Sequence, residues 1–397
     1  MTVRAHKPEF NFREKLKELE RPIGVKGNEL MRAETAQDAR DLVSAGRKNL
    51  VINGNMMISQ RYGFNNPQTV TNENNYYLDR FVLRENTSGA FQVRQSTPGY
   101  PFEAAMQINV TTADTSIASN EYARIQYYVE GNDARAVDWG KSESKDHLTL
   151  SFWVRSNAPG DYHVSIENSN NNYYPIMVKK YRIERSNEWQ KVVVTFPPTG
   201  EYNFHRGTGI GFRITWSLAI GSSYNTATEN SWFTSSYQMS TSTQRNFMDT
   251  VGNDFYLTGV QLEKGRNATD FEHRPYTEEL ALCQRYFYIN GGEEHDIISQ
   301  AFSPHTTEIA IAWPHPTEMR AVPTVTVSGT NSNNTDFYFR TINNTGFSLT
   351  GNGRSLTQMT KHHASIWFNG MSGVPAVPGQ VRVQNDRTAF IHLDAEL

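Results

Sequence analysis

The stretch LTLSFWVRS, Leu148 to Ser156, alternates apolar and polar residues, the pattern of a strand with one face in a core. Leu148, Leu150, Phe152 and Val154 take the apolar face, which leaves Trp153 and Arg155 on the other with Thr149 and Ser151. YARIQYYVEG repeats the device: Ile125, Tyr127 and Val129 share a face, and Arg124, Gln126 and Tyr128 point the opposite way. In GIGFRITWSLAI, Arg213 opposes an apolar row of Phe212, Ile214, Trp216 and Leu218. Flat rings beside guanidinium and amide groups suit one chemistry. The rings stack on the apolar faces of sugar rings, and the arginines and amides satisfy hydroxyls. The plain alternative for Trp153 is packing under a loop or against another copy, because exposed tryptophan is uncommon. Further aromatics sit in segments that could present them. Tyr173 and Tyr174 lie in the polar loop ENSNNNYYPI, a second long loop runs from Ser222 to Asn246, and loops of that length are functional or disordered. Trp313, Tyr338 and Trp367 mark three later strands as candidate contacts.

Covalent chemistry finds less support. There are eleven histidines, yet Glu293–His295 and the pair His362–His363 lack a second ligand at helical or strand spacing. No nucleophile elbow, Walker loop or dinucleotide fingerprint occurs; GTGIGF at Gly207 leads into a strand instead of a helix. The single cysteine, Cys283, reads as a small buried hydrophobe and excludes an internal disulfide. The expectation is a protein that is not an enzyme and needs no cofactor or metal.

The elements that position these residues are mostly strands. A chain of 397 residues calls for two or three domains, and 12% aromatics with only 20% charged residues suits a β protein with a polar, uncharged surface. A net charge of −3 without a Lys/Arg stripe argues against nucleic acid. The absence of a long apolar run argues against membrane insertion. Residues 1–47 differ: NFREKLKELERP and ETAQDARDLVSAG read as short capped helices that would dock on other copies or another protein. From residue 48 to 275 short strands alternate with Asn-, Gly- and Ser-rich loops, which predicts a β-sandwich of the jelly-roll type. RKNLVINGNMMISQR should open it as strand, turn and strand. A hinge helix should follow, with Thr277 as cap, Glu278 and Glu279 in the first turn, and Leu280, Cys283 and Phe287 on one stripe. Residues 276–397 then complete a small C-terminal β domain.

Several of these stretches carry a resemblance. RKNLVINGNMMISQR, LDRF, LTLSFWVRS, EWQKVVVTF and above all VQLEKGRNATDFEHRPYTEELALCQRYF resemble a recurring module of bacteriophage tail fibres and related virion proteins, itself similar to carbohydrate-binding jelly rolls. VRAHKPEFNFREKL and RAETAQDARDLVSAGRKNL look like the opening of marine cyanophage virion structural proteins, and EMRAVPTVTV is similar to a phrase of phage fibre tips. The resemblance implies a homotrimer, particle attachment through residues 1–47, and host-surface polysaccharide as the partner. Related jelly rolls often hold calcium through acidic residues where this chain reads NGNM and LTGVQLE, so calcium is not expected. The expected function is a virion fibre adhesin. A purely structural virion component, a capsid decoration or tail spacer, is the alternative, and a polysaccharide depolymerase comes third.

Overall fold

A computed structural model describes residues 48–70, 75–135, 137, 146–168, 175–199, 204–234, 238–293, 295–328, 337–349, 353–369, 372–383 and 390–397. The two expected N-terminal helices, Tyr173 and Tyr174 lie outside the described residues. Asn49–Leu397 is one compact unit. It is mainly β.

Thirteen strands come first in the chain. They are β1 (Gln68–Thr69), β2 (Asn75–Leu78), β3 (Phe81–Glu85), β4 (Ala90–Ser96), β5 (Ala105–Thr112), β6 (Tyr122–Glu130), β7 (Leu148–Ser156), β8 (Gly160–Asn168), β9 (Pro175–Ile183), β10 (Gln190–Phe196), β11 (Ile210–Ile220), β12 (Phe233–Thr234) and β13 (Asp254–Lys264). They form a six-stranded sheet, β1-β4-β5-β13-β7-β10, and a seven-stranded sheet, β12-β9-β8-β11-β6-β3-β2. Neighbours pair antiparallel. Period-two alternation decides which side chains face inward. Phe81, Tyr127, Phe152, Trp216, Phe255 and Leu262 meet in one core between the sheets. Each such side chain contributes about 1.5–3 kcal/mol by leaving water.

Helix α1 (Tyr276–Gln284) leads to β14 (Phe287–Gly291) and nine further strands: β15 (Ile297–His305), β16 (Glu308–Pro314), β17 (Thr324–Ser328), β18 (Phe337–Thr341), β19 (Gly346–Ser348), β20 (Gly353–Met359), β21 (His363–Asn369), β22 (Pro378–Val383) and β23 (Phe390–Asp394). These make a three-stranded sheet, β14-β23-β17, and a seven-stranded sheet, β19-β18-β22-β15-β16-β21-β20, around a second core.

Three local expectations are corrected. RKNLVINGNMMISQR is not strand–turn–strand: Asn53 and Met56 have φ of 60° and 59°, which breaks any ladder. The segment instead exchanges scattered backbone bonds with β13, Leu50 N–H to Leu262 O at 2.9 Å and Val260 N–H to Gly54 O at 2.8 Å. Thr277 does not cap α1. Pro275 holds the N-cap position, and Glu279 turns inward to the Asn53 N–H and Arg274. Phe287 leaves the helical stripe because the helix ends at Gln284 and Phe287 is the first residue of β14.

The junction after the sandwich is packed and charged. Arg80 is buried, paired with Glu396, bonded to Tyr128 O at 2.7 Å, and stacked 3.5 Å from the Tyr286 ring centroid. Arg61 lies 3.6 Å over Phe287 and bonds Asp394 at 3.0 Å. Glu130 accepts from Arg285 at 2.8 Å and Tyr286 Oη at 2.6 Å. Burial alone would raise the Glu130 carboxyl, but bonds from Arg285, Tyr286 and Asn132 together outweigh it and hold its pKa down.

Candidate functional site

The sequence candidates separate onto three surfaces. Trp153 and Arg155 project from β7 on the outer face of the six-stranded sheet. Arg124, Tyr128 and Arg213 project from β6 and β11 on the outer face of the opposite sheet. The face-by-face reading of each strand therefore holds, but the residues do not converge on one groove. Trp313 is a correction: it is 5% exposed, part of the C-terminal core and 5.5 Å from the Tyr288 ring, because its phase on β16 faces inward. Tyr338 and Trp367 are half-buried on the C-terminal seven-stranded sheet, on β18 and β21, with three strands between them. Trp367 sits opposite Ala310 across the β16–β21 pair.

On the six-stranded sheet the register brings Tyr256 beside Arg155 and Thr258 beside Trp153. The Arg155 guanidinium lies 4.0 Å from the Tyr256 ring centroid and 5.2 Å from that of Trp189. Arg94 donates to Gln107 Oε1 at 2.8 Å. Arg155, Tyr256, Arg94 and Gln107 line a cleft of about 280 Å³ with Phe64 and Asn65, and among the described residues no carboxylate lines it. Arg155 Nε and, beside the cleft, Trp189 Nε1 are buried without a partner among the described residues.

Beside the cleft runs an aromatic row. Tyr100, 84% exposed, meets Trp153 edge-on at 6.5 Å. Phe102 packs on Phe271 at 5.0 Å and stacks on His273 at 5.9 Å. A β-bulge between Thr258 and Gln261 makes room for it. Gly259, at φ 59°, has no side chain; a Cβ there would lie 2.4 Å from the Phe102 ring and 3.0 Å from Trp153. The two large rings close over the backbone for that reason.

The opposite face is more polar and more buried. Gln126 Nε2 donates to Thr215 Oγ1 at 3.1 Å, Tyr128 Oη donates to Gln126 Oε1 at 3.1 Å, and Arg84 donates to Tyr128 Oη at 3.0 Å. Arg213 bonds both Glu167 oxygens at 3.1 Å. Tyr128 is buried against Tyr76 and Val82 and is a correction as a contact residue. Described residues of the long loop that begins at Ser222 pack on one end of this face: Met239 meets Arg124 and Ser217, and Gln244 donates to Ser217 O at 3.0 Å. They bury His163, whose Nδ1 is 2.9 Å from Gln244 Oε1 and whose Nε2 is 2.9 Å from Thr241 Oγ1. Ser240 Oγ at 3.2 Å and Glu229 at 3.5 Å complete a Ser–His–Glu grouping. Ser240 is fully buried and spends its hydroxyl on Thr241 O and Gln244, so it is no presented nucleophile.

The fingerprint stretches form a clasp near the sandwich edge. Arg274 donates to Asn49 O at 2.6 Å and Glu272 at 3.0 Å, Asn49 Nδ2 donates to Val260 O at 3.1 Å, and Glu272 N–H donates to Gln261 Oε1 at 2.8 Å. In LDRF, Asp79 accepts from the Gln60 N–H at 2.9 Å and Arg80 is the buried junction cation. Among the described residues no group of three His, Cys, Asp or Glu side chains could hold a metal.

Sequence reasoning missed Tyr256, Trp189, Arg94, Gln107, Arg84, Glu167 and His163. Alternation in NDFYLTG, AFQVRQS and FVLRE puts Tyr256, Arg94 and Arg84 on the polar side of their strands. Which strands lie side by side carries no local signal.

No protein-family model matches the chain, and no curated protein matches it in sequence. Solved structures similar to it include the enzymatically active domain of tailspike protein 4 of bacteriophage CBA120, at 13% identity and a TM-score of 0.30. That match covers 55% of this chain and 21% of the tailspike chain. A putative sugar-binding protein of Bacteroides thetaiotaomicron is 11% identical over 55% of this chain and 100% of its own, at a TM-score of 0.29. A carbohydrate-binding module in complex with β-1,4-galactotriose is 8% identical over 56% of this chain and 100% of its own, at 0.25.

Proposed function

We propose that this chain is a glycan-binding adhesin of a bacteriophage particle, acting by adhesion and not by catalysis. The observation that carries the binding reading is the cleft beneath Tyr256 and Arg155, with Trp153, Tyr100 and Trp189 around it. Flat rings for the apolar face of a sugar stand next to arginine and amide donors for its hydroxyls. The particle reading rests on the sequence fingerprints that the clasp and the junction are built from. Residues 1–47 attach the protein to other virion proteins, the partner is host-surface polysaccharide, and the assembly is a homotrimer. Weak sites on several copies then add by effective concentration.

Binding of the full-length protein to host cells and their purified polysaccharide tests this. Trp153→Ala and Tyr256→Ala should each weaken binding at least about tenfold, roughly 1.4 kcal/mol, with an unchanged melting temperature. Wild-type affinity in both variants would remove the cleft from the reading. A well-folded oligomer that binds no host cell would remove the adhesin.

The same sheet also favours a second reading. Phe64 in the cleft, Tyr100 beside Trp153 and Val193 on edge strand β10 expose large apolar surface on this sheet. In that case the face packs against another virion subunit and the role is structural. Light scattering on the Tyr100→Ala and Val193→Ser variants separates the two, because only a subunit face loses oligomer mass.

A further inference from the structure

The outer face of the seven-stranded sandwich sheet gathers Arg84, Arg124 and Arg213 around the carboxylate of Glu167. Arg84 on β3 stands directly opposite Arg124 on β6, and Arg213 stands opposite Tyr128 on the next strand. Like charges directly opposite in a sheet are destabilising. Arg124 is 9% exposed, its guanidinium lies 4.2 Å over the Tyr122 ring, and its Nη1 faces Met239 Sδ at 2.9 Å. The Nε atoms of Arg84, Arg124 and Arg213 are all buried without a partner among the described residues. Burial, with Arg84 next to it, pulls the Arg124 pKa down to about 10, so the group stays charged at neutral pH in an unfavourable place. The carboxylate of this cluster is Glu167, and Arg213 engages both of its oxygens at 3.1 Å.

A buried cation costs free energy unless it is paired, and the direct contacts of the Arg124 guanidinium among the described residues are a thioether and an aromatic ring. We propose that Arg84 and Arg124 form a receptor for the carboxylate of an acidic sugar, with Arg213 held alongside by Glu167. The guanidinium fork matches a planar carboxylate with two parallel bonds. Gln126 and Thr215, buried and bonded to each other between the two arginine rows, hold the rows apart. This site is distinct from the cleft on the other sheet. Its sugar component rests on the glycan-binding reading above; its anion component does not.

Titration calorimetry on the full-length protein tests it with four probes: oligogalacturonate, a neutral galacto-oligosaccharide of equal length, galacturonic acid, and inorganic sulfate. The uronate oligomer should bind at least tenfold tighter than the neutral one. Arg124→Gln and Arg84→Gln should each abolish that preference. Unliganded Arg124→Gln should melt at or above the wild-type temperature, because a buried like charge has gone. If that variant fails to fold, half-exposed Arg84→Gln carries the test. Equal affinity for charged and neutral oligomers, or wild-type uronate binding in the arginine variants, overturns the proposal. Binding of galacturonic acid and sulfate through Arg124, with no oligosaccharide gaining on them, keeps the anion receptor and defeats the glycan reading. Binding of the neutral oligomer alone does the reverse.

Discussion

His163 shows how far surroundings change a single side chain. It lies on the outer face of β8, where a solvated imidazole would titrate near its ordinary value. Glu229, Ser240, Thr241 and Gln244 enclose it, and burial pushes its pKa down against the opposing pull of Gln244 and Glu229. The folded protein therefore holds the ring neutral, whereas the unfolded chain protonates it near about pH 6.5. Its contribution to stability is complete above that pH and is lost as pH falls from there through the depressed folded value. The melting temperature of the wild type, relative to His163→Gln, should drop between pH 7.5 and pH 5. A constant difference across that range would show that the ring is not held neutral. The sequence hides this role, because Ser240, Thr241 and Gln244 reach His163 across about eighty residues of chain.

Elements explain why some sequence stretches are so recognisable. VQLEKGRNATDFEHRP and RKNLVINGN read as fingerprints, and in the fold they form a clasp: Arg274, Glu272, Gln261 and Asn49 hold the edge of the sandwich to its last strand. Gly54 sits inside the clasp, and a Cβ there would lie 2.1 Å from Val260 O. Gly54→Ala should therefore cost about 3 kcal/mol, or somewhat more if the backbone cannot shift. Chemical denaturation would read the loss directly, and an unchanged midpoint would mean that the clasp yields. Within strands the pattern was legible. Leu148, Leu150, Phe152 and Val154 point into the core as their alternation requires, and Trp216 is fully buried. Trp313 was misread because it lies on the apolar phase of β16, and type outweighed phase in choosing it.

At the scale of the molecule, the segment after the sandwich is welded to it by charge. Arg80 is buried between Glu396, Tyr286 and the Tyr128 carbonyl, and Arg320 donates to Thr208 O at 2.7 Å and Ala395 O at 2.6 Å. Removing one member of a buried pair strands the other. Arg80→Ala should cost about 3–5 kcal/mol, and the double change Arg80→Met with Glu396→Leu should recover much of it. A double-mutant cycle in urea tests this, and additive losses would mean that the two side chains act independently. The two sandwich faces belong to the same scale. One carries a cleft with aromatic rings and the other carries arginines in excess, so one module offers two chemically different surfaces.

Composition and alternation suffice for a β protein with long polar loops, because period two and the choice of β-branched and aromatic residues are properties of neighbours in the chain. They also place Trp153, Arg155, Arg124 and Arg213 on outward faces. They do not determine that β7 lies beside β13, that β3 lies beside β6, or that Trp153 and Arg124 belong to different sheets. Those facts bring Tyr256 to Arg155 and Arg84 to Arg124. They depend on long-range pairing, in which register is set by the summed fit of two cores and not by any one strand's own residues.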